Sequence, residues 1–286
     1  MKMKRLQKAF CMLLAVMLLT PVICSGAEEK RSALSELDFS RKISGKVQVP
    51  GRGEMRYYAQ NDPLWGQMAY RFPGQENTPR FSGSGCVPSA LANCFANVLR
   101  PEEMTLILSQ AFRESEGYRI CSCSMNRKGC YQGHERYQLT TALDLQIFFP
   151  LVMGAYMSGN NPTGATSNGS FGMIWELKNL FGLTCDRVST LSEAAKLIGE
   201  RDGMAVLLVG GDDNPFTSTG HALTLCGATD EEYFFLDSFC RETYELDKFG
   251  CIRVLEPGLV AVPRDKAFRL GAYSIHVIAR PQETAQ

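Results

Sequence analysis

The apolar positions of this chain change period from one stretch to the next, and the period assigns the elements. After Pro88, the residues Leu91, Cys94, Phe95, Val98 and Leu99 recur at three- and four-residue spacing, which predicts a helix that buries one stripe. Ser82, Gly83, Ser84 and Gly85 ahead of it suit a tight backbone path, and Pro88 suits a first helical turn, where its missing N–H has no intrahelical partner to lose. Residues 102–117 continue as a helix after Pro101, 139–151 read as an apolar helix, and 171–181 (FGMIWELKNLF) carry helical spacing closed by Gly182. Residues 189–199 repeat that pattern, with Ser192 as the N-cap residue.

Elsewhere the period shortens to that of strands. MAVLLVG after Gly203 reads as a buried strand, 272–279 as a C-terminal strand, and 47–58 (VQVPGRGEMRYY) as a Pro-Gly turn with a short strand. The runs 221–226 and 233–236 flank the polar residues 228–232, so this stretch reads as a β-hairpin. The Gly-, Asn- and Ser-rich residues 154–169 read as a loop.

The N-terminus departs from all of this. Lys2, Lys4, Arg5 and Lys8 precede the apolar run 9–24, and Ser25-Gly26-Ala27 offers a small-residue cleavage site, so residues 1–27 read as a secretory signal peptide. Residues 28–46 are polar and charged and read as a linker or short pro-segment, leaving 47–286 as one domain of a secreted or cell-envelope protein. Removing the four basic residues of the leader leaves 26 basic against 30 acidic, with no dense basic patch, which argues against a nucleic-acid partner. The apolar run leaves with the leader, so the mature chain is expected to have no membrane span.

Export changes the reading of the 11 cysteines. Two leave with the leader; with Cys86 set aside, positions 94, 121, 123, 130, 185, 226, 240 and 251 form an even set open to disulfide pairing. Cys94 and Cys226 sit within apolar stretches and are first candidates for buried thiols instead. Cys121, Cys123, Cys130 and His134 have spacings that could hold tetrahedral zinc, but paired C-x-x-C knuckles are missing, and a disulfide-tied surface loop is the favoured reading. No cofactor or metal is therefore expected.

Candidate chemistry centres on Cys86. At a helix N-terminus, unpaired N–H groups and the positive end of the macrodipole favour a thiolate. His221 opens the first strand of the hairpin and Asp237 closes the second. A turn centred between 229 and 230 places 221 opposite about 238, making Asp237 a cross-strand neighbour that accepts from the imidazole if the register allows it. His276 is the competing base, but no acid stands within eight residues before it and its neighbours are apolar, so it reads as structural. Gln60 lies in a turn segment containing Asn61, Asp62 and Pro63 and anchored by Trp65 and Tyr70; its uncharged amide is a suitable oxyanion donor. Cys86 as nucleophile, His221 as base and Asp237 as orienter make the minimum set for covalent acyl transfer, with Gln60 and the Cys86 N–H as oxyanion donors.

These residues also carry a family resemblance. Gln60-Asn-Asp-Pro-Leu-Trp65, Ser84-Gly-Cys-Val-Pro-Ser-Ala90, residues 171–182 with the following helix and strand, Gly220-His-Ala-Leu and Leu236-Asp237-Ser238 resemble the C39-like branch of the papain-like cysteine peptidases over about residues 55–240. The resemblance implies an α+β papain-like fold with the nucleophile helix packed on an antiparallel β-sheet, and a peptide or protein substrate. Val87 stands where such proteins often have glycine, and neither 121–134 nor the tail after 240 has a counterpart in the family. No transporter segments follow, so the leader-peptidase role of transporter-fused relatives is not carried over. The expected function is an exported cysteine peptidase. A transpeptidase or amidase acting on cell-wall peptides, and a binding module that has lost the chemistry, are the alternatives.

Overall fold

The computed structural model describes residues 39–67, 81–105, 119–121, 136–138, 146–151, 153 and 182–281. The leader, residues 28–38, Tyr70, the helices expected over 106–117, 139–145 and 171–181, the loop 154–169, and the side chains of the Cys121, Cys123, Cys130 and His134 set lie outside the described residues.

In chain order, β1 (Gly45–Val49) and β2 (Gly53–Tyr57) form an antiparallel hairpin, so the single short strand expected at 47–58 is half of a pair that begins at Gly45. The tight path expected there is a helical turn, Phe81–Ser84, which leads through Gly85 into α1 (Cys86–Val98). Residues 101–105 and most of 146–151 are helical, and β3 (Arg119–Cys121) pairs with β4 (Arg136–Gln138). Then follow β5 (Thr184–Val188), α2 (Leu191–Arg201), β6 (Met204–Val209), β7 (His221–Ala228), β8 (Glu232–Asp237), β9 (Arg253–Glu256), β10 (Leu259–Pro263), a 3-10 segment at Arg264–Leu270, and β11 (Ala272–Ala279).

Strands β5 to β11 make one seven-stranded sheet in the order β5-β11-β6-β7-β8-β10-β9, antiparallel throughout. Every residue of β6 is buried. Alternation is lost there because both faces are covered. Ala222, Cys226, Phe234, Leu236 and Ala261 join the core around α1, while Leu223, Leu225, Phe235, Val260 and Val277 join a second core containing Ala194, Ala195 and Ile198 of α2.

The N-cap of α2 is Thr190, whose hydroxyl accepts from the Glu193 N–H, and not Ser192. Thr190-Leu-Ser-Glu193 carries the capping-box sequence pattern two residues upstream of the expected start, with its return bond one residue further out. The Glu193 carboxylate returns to the Ser189 N–H, and a cap of this kind contributes about 1 kcal/mol.

Helix α1 exceeds its expected stripe. Its residues Val87 to Ala96 are all buried, including Ser89 and Asn93. Asn93 survives inside because its amide is matched, whereas the buried Ser89 Oγ makes no hydrogen bond. The Asn93 carboxamide accepts from the Tyr58 N–H (2.6 Å) and donates to the Tyr58 carbonyl (3.2 Å); one turn later Asn97 does the same for Arg56 (2.8 and 2.9 Å). Two asparagines four apart thus complete the outer edge of β2 as a neighbouring strand would.

Candidate active site

Cys86 is the first residue of α1, half-buried, with Gly85 as the N-cap. Gly85 is required by a close approach: a Cβ there would meet the fully buried Phe81 ring at 2.5 Å. Phe81 in turn lies on the helical turn that delivers Cys86. Further along, the buried Thr224 hydroxyl of β7 donates to the Ala90 carbonyl at 2.9 Å. From Ala90 back to Cys86 is about one helical turn, ~6 Å of rise, and from Thr224 back to His221 is three strand residues, ~10 Å. This bond sets helix against strand so that both side chains arrive at one end of the sheet.

Asp237 reaches the same end through a register change. Near the turn Ala228 pairs with Tyr233 and Gly227 with Phe234; after a bulge between Leu225 and Gly227, Leu225 pairs with Phe235 and Leu223 with Asp237. The extra residue, Cys226, switches the parity of the strand. Without it Thr224 would oppose Asp237, and His221 would project from the other face. The register expected from the turn, with 221 opposite 238, would also have separated the two. In the structure they are diagonal neighbours on one face, and His221 Nε2 lies 2.6 Å from Asp237 Oδ1.

Both are buried, with His221 7% exposed and Asp237 0%. Burial disfavours the imidazolium, but the Asp237 charge and hydrogen bond, followed by the nearby Cys86 thiol, outweigh it and raise the His221 pKa to about 9. Burial likewise opposes the Asp237 carboxylate. His221, the Arg241 guanidinium and the Phe239 N–H (2.9 Å) overcome it and hold the acid below its ordinary value. With Nε2 engaged by Asp237, Nδ1 is the ring nitrogen left for Cys86. The Phe216 ring stacks over the imidazole at 6.3 Å between centroids.

Gln60 belongs to the same cluster. It is 4% exposed; its Nε2 donates to the Ser82 carbonyl at 2.6 Å, and its Oε1 lies 3.2 Å from the Ser238 hydroxyl. Ser238 Oγ donates to the Ala222 carbonyl (2.8 Å) and stands 3.4 Å from His221 Nε2. The Gln60 backbone N–H also bonds the Ser238 carbonyl, at 2.6 Å. The turn expected around it is built on Asp62, 0% exposed, whose carboxylate accepts from the Ser44 and Leu64 N–H groups, with Trp65 Nε1 donating to the Ala59 carbonyl. One Gln60 amide hydrogen is committed to Ser82, leaving a second.

The structure therefore brings Cys86, His221, Asp237 and Gln60 together. His276 is elsewhere, on β11. Its Nδ1 lies 4.0 Å from the Cys185 sulfur, and burial together with Arg187 lowers its pKa, away from the imidazolium that an ion pair with a thiolate requires. No disulfide joins the described cysteine side chains, which corrects the pairing held open for 185, 240 and 251, while 94 and 226 are buried thiols as their apolar neighbours predict. Cys94 and Cys226 are 0% exposed, and burial pushes both thiols up, Cys226 to about 12. Among the described residues no group of three or more His, Cys, Asp or Glu is placed to hold a metal ion. Among them, too, no helix is long and apolar enough to cross a membrane.

Three further groups touch the site and were not singled out from sequence. The Tyr57 hydroxyl donates to the Asp237 carbonyl (2.7 Å), the Tyr244 hydroxyl donates to Asp237 Oδ2 (2.8 Å), and Arg241 Nε lies 3.2 Å from the same oxygen. Arg241 and Tyr244 stand four and seven residues after Asp237 in a stretch with no periodicity, so no pattern connected them with the acid.

No protein-family profile and no curated protein matches the chain. Among solved structures, the chain is similar to a Bacillus anthracis protein provisionally named a C39-like peptidase, at 12% identity and a TM-score of 0.34, covering 83% of this chain and 99% of that one.

Proposed function

We propose that the chain is an exported cysteine peptidase that cleaves a peptide or amide bond through a thioester on Cys86. One observation carries the reading: a buried imidazole held by a carboxylate at 2.6 Å on one nitrogen, with a helix-terminal thiol beside the ring. In this reading His221 Nδ1 takes the Cys86 proton and the thiolate attacks the carbonyl carbon. The S–C bond forms as the carbonyl π electrons move onto oxygen. Collapse of that intermediate breaks the C–N bond while the imidazolium passes its proton to the leaving amine. Water then attacks the thioester, its proton goes to His221, and the C–S bond breaks to release a carboxylic acid and restore the thiol–imidazole pair. The Cys86 backbone N–H and the second Gln60 amide hydrogen would meet the oxyanion, where loss of one donor costs about 2.7–4 kcal/mol of barrier.

The test is alkylation of the purified chain by iodoacetamide under mild reduction, from pH 4 to 9, with the labelled residue located by peptide mass. Rapid labelling of Cys86 that is lost in His221→Ala is the expected result. An unlabelled Cys86 overturns the reading. Export rests on the charged-then-apolar residues 1–27; N-terminal sequencing of the secreted chain is expected to begin near residue 28, and an intact Met1 would refute it.

A further inference from the structure

The Asp237 carboxylate has a second side that the chemistry above does not use. Oδ1 faces His221 and the Phe239 N–H, whereas Oδ2 accepts from the Tyr244 hydroxyl and lies 3.2 Å from Arg241 Nε. Arg241 is itself anchored. Its Nη1 donates to the Phe216 carbonyl (3.0 Å), and its guanidinium lies 4.9 Å from the Phe239 ring centroid and 5.0 Å from that of Tyr244. Phe216 meets Tyr244 edge-on at 5.3 Å and stacks on His221. Burial, and then the Asp237 charge, keep the Tyr244 phenol protonated, so it remains a donor. Arg241 Nε is buried and makes no hydrogen bond; its contact with Oδ2 is an out-of-line ion pair that acts through charge.

We propose that Arg241 and Tyr244 are positioning residues that keep the buried Asp237 carboxylate ionised and correctly turned when His221 is neutral, and that moderate how strongly Asp237 holds the His221 proton. The proposal rests on the peptidase reading for its consequence in turnover. The physical need is specific. During the proposed cycle His221 alternates between imidazolium and imidazole. A carboxylate with 0% exposure and no other counter-charge would draw a proton whenever the imidazole is neutral. Arg241 supplies a charge that does not titrate. The same positive charge competes with the imidazolium for Asp237, so it prevents His221 from becoming too weak an acid to protonate a leaving amine. The other titratable groups facing this pair are Cys86 from α1, Tyr57 from β2 and Cys240 from the segment after β8. Tyr57 addresses the Asp237 main-chain carbonyl, leaving Arg241 as the charged side chain on Oδ2.

The test follows the His221 ring by NMR titration of histidine-labelled full chain, for the parent, Arg241→Gln, Arg241→Lys and Tyr244→Phe, beside the Cys86 alkylation profile of each. Arg241→Gln and Tyr244→Phe are expected to raise the His221 midpoint, Arg241→Gln by about one unit, a tenfold tighter proton. Arg241→Lys is expected to restore it. An unmoved or lowered midpoint in both Arg241→Gln and Tyr244→Phe overturns the proposal. If Arg241→Gln fails to fold, Tyr244→Phe and Arg241→Lys decide alone, by a raised midpoint in the first and a parental one in the second. Cys86 alkylated in the parent with His221 unmoved in the variants sinks this inference and spares the enzyme reading. Cys86 inert with His221 moved does the reverse.

Discussion

Asp237→Asn is expected to lower kcat by about ten-thousand-fold at neutral pH, the loss seen when the acid of such a triad becomes an amide and the imidazole takes the wrong tautomer. Here the change goes further, because Arg241, which lies against Asp237 Oδ2, then has no anion to offset its charge on the far side of the residue that holds His221. The alkaline limb of the pH–rate profile, expected near the His221 value of about 9 in the parent, should fall below the ordinary 6.5. The same substitution should cost stability within a defined window. The folded pKa of His221 is raised, so its contribution is fully present below about 6.5 and lost as pH rises through about 9. Asp237 is lowered from 3.8, so its contribution is present above that value and lost as pH falls through the folded pKa. Urea unfolding at pH 5.5 and pH 10 checks this. The parent-to-variant difference should be on the order of 3 kcal/mol at the lower pH and much smaller at the higher one. An equal loss at both would assign the effect to packing and not to the ion pair.

Asn93→Ala is the second large effect, and it acts through the fold. The substitution strands the Tyr58 N–H and carbonyl, both otherwise matched by the Asn93 carboxamide inside the core. Each of the two orphaned buried groups costs about 1–3 kcal/mol, so a loss of about 2–6 kcal/mol is expected from denaturant midpoints. That is a large share of the ~5–15 kcal/mol that holds a typical domain together. Because Tyr58 leads directly to Ala59 and Gln60, Cys86 alkylation and peptide cleavage should also separate: the thiol keeps its His221 partner, while the oxyanion donor loses its footing. Asn97→Ala, at a partly buried pair, should cost less. Equal costs for the two would overturn the view that burial sets the penalty.

Much of this architecture was written in the pattern of residues. The Cys86 helix, the buried run 204–209 and the hairpin 221–237 are legible because a helix face, a doubly covered strand and a polar turn each leave a local periodicity. Gln60, Cys86, His221 and Asp237 could be singled out by residue type and by their places at element ends. The Thr190 cap could also have been found, since Thr-x-x-Glu was in plain view, but Ser192 was the residue immediately ahead of Glu193.

Only tertiary structure decided whether those residues meet. A hairpin's parity depends on a single inserted residue, and Cys226 in its bulge has the same apolar character as a regular strand residue; one position decides whether His221 and Asp237 share a face. The Thr224–Ala90 bond that sets α1 on the sheet and the Arg241–Tyr244 clamp on Asp237 join residues whose separation in sequence has no period. The thiols show the same limit from the other side. Their even number is a property of the sequence, but a disulfide needs two sulfurs brought to bonding distance, and the fold joins none of Cys185, Cys240 and Cys251 to another described cysteine; only Cys94 and Cys226 are the buried thiols their neighbours predict. Sequence by itself determined which residues could do chemistry and which elements carry them, because burial periodicity and side-chain type are local. Register, parity and the second side of the carboxylate are properties of the packed sheet, and only the folded chain decided them.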